Sequence, residues 1–172
     1  MMITRIDEAG IILLEALIGI LIFSIGILAL VAMQSASVNA VADAQYRVEA
    51  VNAANQLLAE MWVNVDRATP ATLQATLATF NHRTTGNPEE CTFTGPDSGN
   101  AIVGAWTNFL NTGDAGGAGS KPLLPGSKDT MQQIVVDPGS NNQVRITVCW
   151  QAPSSIAPNT SPHRHTLVAY IN

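Results

Sequence analysis

Glu15 is the first residue that asks for a chemical explanation. It stands near the start of AGIILLEALIGILIFSIGILALVAM (Ala9 to Met33), an otherwise apolar run. An ionised carboxylate in hydrocarbon is expensive unless it meets a partner, so its presence there implies one. Histidines come next: His163 and His165 lie two residues apart, hence on one face of an extended strand, and His82 could complete a three-nitrogen metal set. The same triplet, His163-Arg164-His165, also reads as a polar strand entrance, and no metal or cofactor is expected. Gly116-Gly117-Ala118-Gly119-Ser120-Lys121 lacks the G-x4-G-K-[ST] order of a phosphate loop, Pro122 follows the lysine, and a linker is expected. Ser154-Ser155 lies between Pro153 and Pro158 with no base paired to it by motif. No enzyme is expected.

Cys91 and Cys149 belong to no CxxC motif. In an exported domain they form one structural disulfide; in a reducing compartment they are two buried thiols. The formal net charge is -5, with no run of Lys or Arg. Phosphate backbones are bound through clustered cations, so no nucleic-acid partner is expected.

The cysteines and Glu15 both depend on what the apolar segment does. A cleaved secretory signal would find small residues at Val38-Asn39-Ala40 or Ala40-Val41-Ala42. However, Ile11 to Met33 is 23 residues, where such a core has about 7–15. The leader MMITRIDEAG is also poor in cations, with Arg5 opposed by Asp7 and Glu8. As a transmembrane helix the run spans roughly 34 Å, enough for a hydrocarbon core of about 30 Å. A plain anchor accounts for the length but leaves Gly10 and Glu15 without a role.

Both fit a third reading. Gly10-Ile11-Ile12-Leu13-Leu14-Glu15 resembles the processing motif of type IV pilins and of type II secretion pseudopilins. The resemblance implies cleavage by the prepilin peptidase between Gly10 and Ile11, and N-methylation of Ile11. Glu15 becomes the fifth mature residue and docks on the Ile11 amine of a neighbouring subunit. Ile11 stands where the family most often has Phe, and the leader is acidic where a basic one is common. The chain then divides into a leader (1–10), a transmembrane and filament-core segment (11–33) and a periplasmic head (34–172).

Beyond Met33 the helical pattern continues, with no proline from Met1 to Arg67. Val38, Val41, Ala44, Val48, Val51, Ala54, Leu58, Met61 and Val65 recur at three- and four-residue steps. They predict one apolar stripe and a single rod from about Ile11 to about Val65, stopped by Thr69-Pro70. Thr69 then caps a short helix carrying Leu73, Leu77 and Phe80 on one face. A loop holds Cys91, and a second short helix spans Ile102, Val103, Trp106, Phe109 and Leu110. Gly113 to Gly119 is a link. Strands are expected at Met131–Val136, Gln143–Trp150 and His165–Ile171, with a turn at Asp137–Asn142. Alternation turns Val144, Ile146, Val148 and Trp150 towards the helix and Cys149 to the opposite face.

A long helix on an antiparallel meander is an α+β arrangement and also the layout of the pilin fold. Ser24-Ile25-Gly26-Ile27-Leu28-Ala29-Leu30 with Gln34 is similar to minor pilins of the PilV type. So are Trp106, Leu124-Pro125-Gly126 and the strand from Val144 to Trp150. The resemblance implies a structural subunit that primes or joins type IV pili, serving adhesion and twitching motility. Its partners would be other minor and major pilins, the prepilin peptidase and the inner-membrane assembly platform. It would be held by one span in the inner membrane of a bacterium and then move into the surface filament. The alternatives are a secretion pseudopilin, which shares the N-terminal motif, and a bitopic periplasmic binding or adhesion module.

Overall fold

The computed structural model describes residues 9–113, 122–151 and 161–172, with side chains from Ile11 onward. The leader before Ala9, most of the Gly113–Gly119 link with Lys121, and Ser154-Ser155 lie outside these. The fold is α+β: one long N-terminal helix followed by two short helices and two small antiparallel sheets. The chain falls into two compact units, Met1–Ala42 and Asp43–Asn172.

Helix α1 (Ala9–Asn64) is 56 residues long. It needs no helix breaker removed, and Ser24, its polar intruder among apolar residues, returns its hydroxyl to the Ile20 carbonyl at 2.7 Å. Every residue from Ile11 to Val41 is exposed. The helix ends at Asn64, before the expected stop. Arg67 turns back to donate from Nη1 to the Trp62 carbonyl (2.8 Å) and the Val65 carbonyl (3.3 Å). A cation on the last free carbonyls closes a helix favourably, so Pro70 is left to open the next one.

That next helix, α2 (Pro70–Ala78), has the predicted Thr69 cap. The Thr69 hydroxyl accepts from Thr72 N, and the Thr72 hydroxyl accepts from Thr69 N. Leu73, Leu77 and Phe80 are buried. Helix α3 (Ala101–Thr112) is capped by the Asn100 side chain on Ile102 N and ends at Gly113 in the left-handed conformation.

Strands β3 (Gln132–Asp137), β4 (Gln143–Trp150) and β5 (His163–Tyr170) form an antiparallel meander in that order. Register pairs Ile134 with Ile146 and Ile146 with Leu167. Val144, Ile146, Val148 and Trp150 are buried in one cluster with residues of α1, α2 and α3. Cys149 faces away, as the alternation predicts, into a second cluster with Cys91, Phe93 and Met131. What covers that outer face is an element not foreseen, a hairpin of β1 (Thr85–Asn87) and β2 (Thr92–Thr94). Three-residue strands built of Thr, Gly and Asn carry no periodic signal. Gly86 sits at φ +122°, and a Cβ there would lie 2.2 Å from the Thr92 carbonyl oxygen. Gly86→Ala should therefore loosen the hairpin and cost about 2 kcal/mol in denaturant unfolding.

The stripe on α1 needs correction. Its later positions hold, with Ala54, Met61 and Val65 buried and Leu58 packed on the core; Ala50, Ala53 and Leu57 are buried in addition, while the earlier Val38, Val41 and Val48 are more than half exposed. The predicted stripe advanced about 3.4 residues per step on average, where the helix has 3.6 per turn, so it wound from one face to the opposite one. Three alanines let α3 approach the helix backbone closely. At that contact the Trp106 indole N–H donates to the Ala53 carbonyl at 2.9 Å.

Candidate functional site

Gly10 and Ile11 lie in the first turns of α1, and Glu15 follows Ile11 by one further turn on the same side of the helix. Ile11 is 70% exposed, and Glu15 is exposed without a hydrogen bond or ion pair among the described residues. Around it Ile12, Leu14, Ile18 and Leu21 are exposed too. The arrangement is thus an apolar cylinder carrying one carboxylate, long and apolar enough to cross a membrane. Chemically it can insert in hydrocarbon and offer a single anionic acceptor to a donor or cation brought by another molecule.

In the Asp43–Asn172 unit the two cysteines meet. Cys91 and Cys149 form a disulfide with Cα atoms 6.0 Å apart, pinning the β1–β2 turn to β4. Cys91 takes up φ +52° to reach it. Arg164 on β5 reinforces the attachment by donating to Glu89 at 2.7 Å.

The three histidines are not brought together. His163 stacks on Trp150 with ring centroids 5.6 Å apart, and its Nε2 lies 3.5 Å from Asp43, which also holds Arg47 at 3.0 Å. Sequence reasoning passed over Asp43, although its i,i+4 spacing to Arg47 was a signal. His165 is on the same strand, and burial lowers its pKa. His82 is at the other edge of the sheet, where its backbone pairs with Ile134 of β3. Among the described residues no group of three His, Cys, Asp or Glu side chains could hold a metal ion.

His82 lines a polar cavity of about 190 Å3 with Asp97, Ser98, Thr107 and Asp129. Its Nδ1 accepts from the Ser98 backbone N–H at 3.2 Å, which fixes the neutral ring. Burial is the main cause that lowers its pKa; Arg83 acts in the same direction, and Asp97 and Asp129 oppose it. With the folded value below the unfolded one of about 6.5, the unfolded chain binds more protons as pH falls past that point. Stability should be full above pH about 6.5 and drain away below it, and His165 adds in the same direction. Urea unfolding at pH 7.5 and pH 5 checks this: the midpoint should be lower at pH 5, and His82→Asn should shrink the difference.

A second cavity, of about 320 Å3 and mostly apolar, opens between α1 and α3. Neither cavity figured among the sequence expectations, because each depends on how α3 packs and not on any motif. No family model, curated protein or solved structure matches the chain.

Proposed function

We propose that this chain is a minor pilin, a membrane-anchored subunit that primes or enters a type IV pilus. One observation carries the reading: a 56-residue helix, Ala9–Asn64, holds Gly10 and Ile11 in its first turn, exposes an apolar surface around Glu15, and ends within an α+β head. An all-round apolar segment must be covered by lipid or by other apolar helices, and a filament core exchanges the one for the other. Cleavage after Gly10 supplies the missing partner of Glu15, the Ile11 amine of a neighbouring copy or homologue. The head is held by a disulfide, which suits the oxidising periplasm. Its role is structural, and assembly is the event it controls.

Mass spectrometry of the protein purified from membranes tests the reading directly. A mature N-terminus at methylated Ile11 is expected; an intact Met1 or Met2 would remove it. A secretion pseudopilin would give the same N-terminus, so a deletion strain scored for surface pili and for secretion separates the two.

A further inference from the structure

The head carries an apolar groove and, on another face of the same helix, an exposed aromatic knob of suitable size and charge. The groove is floored by Leu57 of α1 and by Ile102, Trp106 and Phe109 of α3, with Glu60 as its one charged residue. Its volume, about 320 Å3, is ample for an indole, since a cavity of about 150 Å3 takes up benzene. The knob is Trp62, 43% exposed, beside Val63 at 80%. The Arg67 guanidinium lies 5.0 Å from the Trp62 ring centroid and is held by carbonyls of Trp62, Val65 and Asn172. The ring and its cation are therefore ordered before any partner arrives, and Trp and Arg are the residue types that most often anchor interfaces.

We infer that the α1–α3 groove of one molecule receives the Trp62–Arg67 knob of a second copy, with Glu60 meeting the incoming Arg67. Trp62 follows Glu60 by two residues, so the two project about 200° apart at nearly the same height on α1. Knob and groove therefore cannot engage reciprocally in one closed pair. Two copies join side by side in the same direction, and each leaves one knob and one groove free, the head-to-tail pattern that propagates. Copies inserted in one membrane already share that direction. The parallel direction rests on the membrane insertion in the proposed function, but neither it nor the contact depends on cleavage after Gly10.

Single-cysteine variants of the full chain test it in membranes. The native cysteines are bonded to each other and do not react with maleimides. Val63→Cys marks the knob, and Ala105→Cys, exposed at the groove, marks the receptor. Co-expressed, the two variants should form a homodimer with a short bis-maleimide at least tenfold more efficiently than either alone. Glu60→Arg should abolish that adduct, and Glu60→Arg combined with Arg67→Glu in both copies should restore it. Trp62→Ala, which leaves Arg67 in place, should abolish it as well. The inference fails if the mixture gives no excess adduct, if Glu60→Arg leaves the adduct unchanged, or if the labelled groove captures only a different protein.

Discussion

Glu15→Val should be processed like the wild type, accumulate in the membrane to the same level, and fail to support pili. The proposed cut falls before Ile11, four residues away from Glu15, valine is more compatible with lipid than glutamate, and no described contact of Glu15 is lost. What disappears, under the proposed function, is the acceptor for a neighbour's N-terminal amine. In an apolar filament core, stripping one member from a buried charge pair costs about 3–5 kcal/mol, because the other charge remains. At about 1.4 kcal/mol per factor of ten, that is roughly two to three and a half orders of magnitude in the association constant. Surface pili counted by electron microscopy in a strain carrying only the variant should fall to near background. Glu15→Gln should fail nearly as badly, since a neutral amide keeps the size but not the charge. Normal piliation in either strain would sink the pairing argument.

Losing the disulfide should be the largest single blow to the head. The bridge joins residues 58 apart, and a closed loop of that size removes about 4 kcal/mol worth of unfolded-state freedom. A typical domain has only about 5–15 kcal/mol in total. Cys91→Ser with Cys149→Ser would also place hydroxyls among Phe93 and Met131, so Cys149→Ala with Cys91→Ala is the cleaner pair. The expected result is a large drop in the denaturant midpoint and rapid proteolysis within the hairpin from Thr85 to Thr94. An unchanged midpoint would mean that β1 and β2 are held by Phe93 and the Arg164–Glu89 pair alone.

Much of the frame was legible because strong local signals agreed with tertiary packing. Thr69-Pro70 announces α2, and the alternation from Val144 to Trp150 by itself puts Cys149 opposite the core. Only the earlier half of the stripe on α1 departs from the buried face, and for a definite reason. Valines outweigh alanines in hydrophobicity, yet the buried face runs through alanines, whose value lies in how near they let a neighbour such as Trp106 come to the backbone. The hairpin was illegible because its order comes from a distant cysteine and from Gly86, not from its own residues. Glu15 is conspicuous from composition alone, but under the proposed function its partner would belong to another molecule, so one chain presents the carboxylate and nothing more.

The two faces of α1 in the head should age differently over evolutionary time. At Ala50, Ala53 and Ala54 a side chain much larger than alanine would crowd the core and strain the Trp106–Ala53 bond, so variation there is confined to glycine or serine. Val48 and Val63 stand in the open and are free to drift wherever no partner restrains them. In related sequences, then, a frozen alanine face would record the fold itself. Any position conserved on the opposite face would record the company the molecule keeps.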